Sequence, residues 1–509
     1  MLSLVGQLLL AGVCLLIVGC QTPPTHLQIS MVGDILLDRA VPAALARDST
    51  ALHQHARQLW ANSRYVIGNL ECPLTTVRHL VAKPFVFRAA PSYAPWLRRL
   101  GLTHVSLANN HSLDQHLPGL QETYTALNTS QLGTLGYAPD SLAGCRPTLL
   151  GADSSVAVFA YSALHQGLAG EGCLCGRDFS ALCERLAAYK TLFPQRAVLV
   201  YLHWGTEYAE HPSQTQRVQA RRLIDCGAAA VVGAHPHVVQ TMEFYRGCPI
   251  LYSLGNFLFD QQSRSTEFAV QADFEISNGQ IAATYLRPLQ VQRAIPHPAT
   301  ASAKAALAAR IQRLSPTIRL LSYPNKVGWL LQHTPSIIAD ATGPGYFQRQ
   351  LVLTDTMNTR TEVRLRYLPH AGYYQAHLAS GMTQTILPLG FPVYQLAQGD
   401  VDNDGRPDLL VGPVKTTHFD STVRRRLFVY RLKNGEAKPR WLGSRVVYQL
   451  LYFKAVRDAT GHTYVRTIEQ EPAGRYCIGR YSWQGFGLML DRFTARGLSL
   501  DAAYNHFIQ

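Results

Sequence analysis

Five short polar clusters in the first half of the chain carry side chains able to do chemistry. Each follows directly on an apolar run. Gly33-Asp34 ends the first run, and Gly68-Asn69-Leu70-Glu71 the second. Ala108-Asn109-Asn110-His111 ends the third, with Asp114 three residues beyond His111. His203-Trp204-Gly205 and Ala234-His235-Pro236-His237 follow two later runs. Singly, each has a bland account. A Gly-Asp is more often a turn, Glu71 alone reads as a solvated loop acid, and His203 alone fits a core histidine. In conjunction, the five places supply two carboxylates, an amide with an imidazole, a further imidazole and a pair of imidazoles. That set of hard and borderline N and O donors suits one or two divalent cations such as Mn, Fe, Zn or Mg.

Such donors must be carried on elements that bring them to one place. Strand-like runs fall at 27–32, 65–70, 103–108, 155–161, 197–202, 229–233 and 250–254. Helical patterns fall at 91–100, 117–127, 215–226 and 296–314. Helices interleaved with buried Val-rich strands predict a layered α/β domain. In open α/β sheets, ligands collect beyond the carboxyl ends of the strands, where all five clusters lie. Past residue 336 the texture changes to strand-like runs with turn signals, at 348–354, 362–367, 392–396, 408–411, 427–432, 445–453, 463–468 and 476–483. No long helix interrupts them, which predicts a separate all-β domain with blade- or sandwich-like spacing.

The wording and order of several stretches resemble the CapA family of capsule synthesis, the poly-γ-glutamate biosynthesis group. The stretches are GDILLDR, GNLECPLT, KPFVFRAAP, LGLTHVSLANNHSLD, YLHWGTEY, GAHPHVVQ and LYSLGNFLFDQ. That family is similar to calcineurin-like metallophosphoesterases, so the resemblance implies a layered metallophosphoesterase-like α/β sandwich over residues 27–320. It implies Asp34, Glu71, Asn110, His203, His235 and His237 as metal ligands, with Glu71 bridging. It implies His111, oriented by Asp114, as the general acid that protonates the leaving group. The ion would polarise an electrophilic oxygen and bring the pKa of bound water towards neutrality. Lys83, Arg88, Asn69 and Asn256 lie in family-like motifs and are candidate substrate-binding residues. Lys83 and Arg88 would attract carboxylates or phosphates; the bland alternative makes them surface cations flanking a strand-like Phe85-Val86-Phe87. One departure stands out. Phosphoesterases carry a histidine two residues after the first aspartate, and here that residue is Leu36. Asp38 could replace it or could pair with Arg39.

Residues 1–19 are almost wholly apolar, and Ile17-Val18-Gly19-Cys20 resembles a bacterial lipobox. The expectation is a signal peptide over 1–19, lipidation of Cys20 and a tether over 20–26, which holds the protein at an extracytoplasmic membrane face. The first seven residues carry no Lys or Arg, unlike an ordinary signal. The alternative is an uncleaved single-span anchor. Eight cysteines follow Cys20. An oxidising compartment predicts that some pair, and Cys145, Cys173, Cys175 and Cys183 crowd one segment. Disulfides stapling an Ω-like loop are expected there, with a thiolate metal site as the alternative.

A linker is expected at 321–344 and the β-rich domain at 345–509. Within it, Asp400, Asp402, Asp404 and Asp408, with Gly405 at the turn, have the spacing of a calcium loop. Position 12 from Asp400 is Val411 rather than Glu, and no helices flank it, so the loop resembles an FG-GAP or VCBS repeat of a β-propeller blade. Three or four blade-sized units fit, which predicts a partial propeller-like domain. The chain has 509 residues, 47 Lys+Arg and 33 Asp+Glu, a formal net charge of +14. The excess suits an anionic partner. Without a dense basic run, and with an extracytoplasmic address, nucleic acid is disfavoured. The expected function is metal-dependent hydrolysis or transfer on an anionic envelope polymer such as poly-γ-glutamate, alongside other capsule-synthesis proteins. The alternatives are a non-catalytic polymer-binding or export module, and a small-substrate phosphoesterase.

Overall fold

The computed structural model describes residues 27–509 except 80, 140–144, 153, 165–172, 177, 262, 323–327, 334–349, 355–358, 369–372, 418–419, 434 and 444–445. The signal, Cys20, the tether and most of the expected linker lie outside the described residues. Among the described residues, no helix is long and apolar enough to cross a membrane.

The elements run β1 (Leu27–Ile35), α1 (Val41–Leu59), β2 (Tyr65–Leu70), α2 (Tyr93–Leu100), β3 (His104–Ser106), α3 (His116–Thr129) and β4 (Gly133–Leu135). Next come β5 (Thr148–Leu150), β6 (Val156–Ser162), α4 (Phe179–Leu192), β7 (Ala197–His203), α5 (Gln214–Asp225) and β8 (Ala230–Ala234). After β9 (Met242–Tyr245), β10 (Cys248–Leu251) and β11 (Asn256–Leu258) come the long hairpin strands β12 (Phe268–Ser277) and β13 (Gln280–Gln292). The unit closes with β14 (Ile295–Pro298), α6 (Ala301–Leu314), β15 (Ile318–Ser322) and β16 (Trp329–His333).

These strands form two sheets. One has the order β15-β16-β13-β12-β1-β2-β3-β4, with β11 beside β1 and β14 beside β13; the other has the order β5-β6-β7-β8-β10-β9. β6 and β7 are buried at every residue, as expected of parallel strands covered on both faces. The sheets pack on each other through one apolar layer that joins Ile29, Met31 and Ile67 of the first to Val158, Leu199 and Val232 of the second. Residues of α1, α2 and α3 share a core with the outer face of the first sheet, and those of α4 and α5 with the outer face of the second. The unit is therefore layered α/β, and the carboxyl ends of β1, β2, β3, β7 and β8 meet at one edge of the sandwich.

Among the described residues, the C-terminal region forms three successive antiparallel sheets. The first comprises Gln350–Thr354, Arg360–Leu368, Tyr373–Ser380 and Thr383–Pro388. The second comprises Val393–Gly399, Asp408–Thr417, Asp420–Arg425, Phe428–Lys433 and Glu436–Leu442. The third comprises Gln449–Arg457, Thr463–Gln470, Tyr476–Gln484 and Gly487–Leu498. A last helix, α7 (Leu500–Ile508), is capped by Ser499, whose side chain accepts from the Ala502 amide. Tyr504 and Phe507 of α7 pack with Leu186 and Tyr189 of α4 and with Tyr452 and Ile468 of the third sheet. Arg196, just before β7, pairs with Asp501 at 2.8 Å. The β region is thus joined to the α/β unit by a shared apolar core.

Several expectations are corrected. In the cysteine-rich segment Cys145 bonds to Cys175, while Cys173 and Cys183 are buried outside that bond and Cys183 lies within α4. Phe85–Phe87 forms no strand. Residues 296–298 belong to β14, because they pair with β13, and the helix begins only at Ala301, behind its cap Thr300.

Candidate metal centre

The parallel register of β1 with β2 sets Asp34 opposite Asn69, and that of β1 with β11 sets Asp34 opposite Asn256. β1 can approach β11 this closely because residue 33 is glycine: a Cβ there would lie 1.7 Å from the Gly255 carbonyl oxygen. Asp34 is fully buried and receives the Asn69 side-chain amide at 2.8 Å and the His235 backbone amide at 3.0 Å. Burial alone would raise its pKa. His237, 3.3 Å away, together with Asn69 and the His235 amide, holds it below the ordinary carboxylate value.

Glu71 differs from its neighbour. It is 1% exposed, and neither carboxylate oxygen has a hydrogen-bond donor. Its Oε1 lies 3.7 Å from His203 Nε2, 4.0 Å from His111 Nε2 and 4.0 Å from His237 Nε2. Burial first, and the facing Asp34 carboxylate second, push its pKa well above the ordinary value. A buried acid left without partners costs folding free energy. Two of those imidazoles do not remove that cost, since burial drives His203 well below its ordinary pKa and lowers that of His111. His235 Nδ1 is likewise buried without a partner.

The histidines are held by side chains from both sheets. Asn69 Nδ2 reaches His203 Nδ1 at 3.1 Å, and His203 Nε2 meets Asn110 Oδ1 at 2.7 Å. His237 Nδ1 meets Asn256 Oδ1 at 2.9 Å. His235 and His237 both adopt left-handed backbone, φ 92° and 59°. Non-glycine residues there cost about 1–3 kcal/mol each, a strain that concentrates at functional sites. Among the converging triplets of donors, two share Glu71: Asp34 with Glu71 and His237, and Glu71 with His203 and His235; within each, the atoms lie within 4.8 Å of one another. Orphaned buried oxygens, an orphaned ring nitrogen and this donor chemistry fit a divalent cation at one or both positions.

His111 stands beside the cluster. Its Nδ1 meets Asp114 Oδ2 at 2.9 Å, and its ring packs on Phe87 with centroids 4.3 Å apart. That contact leaves Nε2 towards Glu71. Burial lowers the His111 pKa although Asp114 pulls it up. Lys83 forms an ion pair with Asp114 and donates to the Asn110 carbonyl at 3.0 Å, with His111 Nδ1 at 3.2 Å.

The other sequence candidates make the following contacts. Asn69 bonds to Asp34 and His203, and Asn256 to His237. Arg88 contacts the Thr75 carbonyl at 3.5 Å, while its amide donates to Asp38 at 2.8 Å. Asp38 therefore turns to that loop, and Arg39 pairs with Asp260 instead. Leu36 is buried in the apolar core and donates its amide to Leu258. Sequence reasoning passed over Glu207, whose carboxylate groups with His235 and His237. Its only sequence signal was membership of the YLHWGTEY stretch.

In the C-terminal region, Asp400, Asp402 and Asp404 converge. Asp408 does not join them: its carboxylate accepts from the Val401 amide at 3.2 Å, and burial raises its pKa to about 7. Arg431 pairs with Asp402 and with Asp404, the latter at 2.6 Å, and Arg440 with Asp402 at 3.1 Å.

Residues 28–261 match the family described as bacterial capsule synthesis protein PGA_cap. The capsule biosynthesis protein CapA of Bacillus anthracis is 28% identical over 330 residues, 59% of this chain and 77% of that protein. The PGA biosynthesis protein CapA of Bacillus subtilis (strain 168) is 28% identical over 287 residues, 53% of this chain and 73% of that protein. A solved structure described as a novel phosphatase of Mycoplasma pneumoniae aligns over 52% of this chain and 94% of that one. At 11% identity and a TM-score of 0.35, that likeness carries no inference.

Proposed function

We propose a function from the premise, supported by the match over residues 28–261 and by the two CapA relatives, that the chain is a member of the PGA_cap capsule-synthesis family. It is read as a metal-dependent enzyme that hydrolyses or transfers a bond in an anionic capsule polymer of the poly-γ-glutamate kind. One observation carries the reading: Glu71 is buried, receives no hydrogen bond and is shared by two converging donor triplets. A dication there would satisfy its carboxylate.

Asp34, Glu71 and His237 would hold one ion, and Glu71, His203 and His235 a second. When bound, the ion would supply Lewis-acid polarisation of the substrate's carbonyl or phosphoryl oxygen. The remaining work belongs to the protein. Asp114 holds His111 at Nδ1, so that Nε2 faces the cluster and can deliver a proton to a leaving group. Lys83 neutralises Asp114 and fixes the Asn110 carbonyl, which keeps the His111 loop in register with His203. Asn69 and Asn256 orient His203 and His237, as partners behind ligands do.

The polymer as partner, and anchoring at an extracytoplasmic membrane through Cys20, belong to the same proposal and rest on sequence. A calcium ion on Asp400, Asp402 and Asp404 would have to displace Arg431 from two of them. The three antiparallel sheets are of the kind from which a partial propeller is built. The test is direct. The purified full chain is assayed for bound metal by elemental analysis and for cleavage of poly-γ-glutamate, peptidoglycan peptides and a generic phosphodiester. Metal in the protein, and turnover abolished by His235→Ala and Glu71→Ala, are expected. A metal-free protein whose activity ignores both substitutions refutes the reading, and tight polymer binding without turnover replaces it with a binding module.

A further inference from the structure

Asp34, Glu71 and His237 make only three donors at their position, and divalent sites of N and O donors take four or more. β1 sends no second donor, because Leu36 is packed into the core. We propose that Glu207, on the loop after β7, is a metal ligand that completes this position from the solvent side. The assignment rests on the cation reading above.

Geometry carries it. The Glu207 carboxylate has an oxygen within 4.8 Å of a ring nitrogen of both His235 and His237. Three acids gathered on buried imidazoles, with Lys83 already paired to Asp114, call for a cation.

The residue after Glu207 is tied to the cluster. Gln261 Nε2 donates to the Tyr208 hydroxyl at 2.9 Å. Asn256 Nδ2 donates to Gln261 Oε1 at 3.1 Å, and Asn256 Oδ1 meets His237 Nδ1 at 2.9 Å. A chain of polar contacts thus starts on His237 and ends on Tyr208, the residue next to Glu207.

The loop backbone is held for the purpose. Gly205 and Tyr208 are left-handed, φ 93° and 63°, and the Tyr208 amide donates to the Pro236 carbonyl at 2.9 Å. Pro236 sits between the two histidines. Glu207 is exposed while Asp34, Glu71 and the three histidines are buried, so it is the donor an incoming substrate meets first.

The full chain, stripped by chelator, is titrated with Mn²⁺ by calorimetry, and its metal content is measured. Glu207→Gln is expected to weaken one equivalent by at least about tenfold and to leave any equivalent held by His203 unchanged. His203→Ala is expected to do the converse, and Glu207→Asp to recover part of the loss. Wild-type affinity for every equivalent in Glu207→Gln overturns the assignment while leaving the metal reading intact. A wild-type chain that binds no Mn²⁺ or Zn²⁺ overturns both.

Discussion

Glu71 offers a test that separates a metal ligand from a structural acid without any substrate. Its folded pKa lies well above the ordinary 4.5 because burial and the Asp34 charge disfavour ionisation. A carboxyl whose pKa is raised on folding binds its proton more tightly in the native state. Stability is therefore lost as pH rises from the unfolded value through the folded one, and the loss is complete above it. At pH 7.5 the stripped protein bears the cost of a buried ionisable group with two orphaned oxygens, about 1–3 kcal/mol. Glu71→Gln removes the charge at almost constant volume, and its amide can donate to a neighbouring imidazole. The stripped variant should be the more stable protein by that amount, a rise in Tm of about 1–3 °C. His203 and His235 lose stability in the opposite sense, as pH falls below 6.5. Both proteins share that effect, so the difference between them isolates Glu71. With metal the order reverses. A cation at a hundred times its Kd adds about 2.7 kcal/mol to the wild type, and little to a variant lacking the ligand common to both triplets. Scanning calorimetry from pH 4.5 to 8, with chelator and with Mn²⁺, reads both effects. A stripped variant no more stable than wild type at pH 7.5, with equal stabilisation of both by metal, refutes the reasoning.

Other outcomes follow from the same geometry. Asp114→Ala leaves the half-buried Lys83 without its carboxylate partner, and urea denaturation should show a loss of about 1–3 kcal/mol. It should also lower turnover by about 10²–10⁴-fold while elemental analysis finds the metal content unchanged. Tyr504→Ala removes a fully buried ring from the α4–α7 contact, together with its 2.9 Å bond to the Arg185 carbonyl. The same denaturation assay should register about 3–5 kcal/mol, with Mn²⁺ affinity in the folded fraction preserved. Gly33→Ala drives a methyl into the Gly255 carbonyl. The variant should lose metal binding and near-ultraviolet circular dichroism together. Reducing Cys145–Cys175, 30 residues apart in sequence, should cost about 3–4 kcal/mol, seen as a lower Tm in dithiothreitol.

Local pattern made much of this protein legible. Apolar runs of strand length ended where β2, β7 and β8 end to within a residue, because a buried strand needs continuous apolar residues and a polar residue stops it. Elements with mixed faces were read poorly. α1 and α4 went unread, and so did the exposed strands Thr383–Pro388 and Glu436–Leu442, which bury too little to leave a pattern. The helix α7 was missed because a short segment in a β-rich stretch shows its apolar face only against α4.

What the amino-acid sequence determined by itself was a stock of donors and their attachment to strand ends, since residue type and periodicity are local properties. Which donors meet was decided by tertiary structure alone. Asp34 receives the His235 amide across 201 residues of chain, and Asn69 reaches His203 across 134, because two separate sheets pack face to face with their carboxyl ends together. The pairing of Lys83 with Asp114, the inward turn of Leu36 and the approach of Glu207 to His235 and His237 follow from that packing. No spacing rule along the chain encodes them, because each depends on the distance between segments that only the folded core brings side by side.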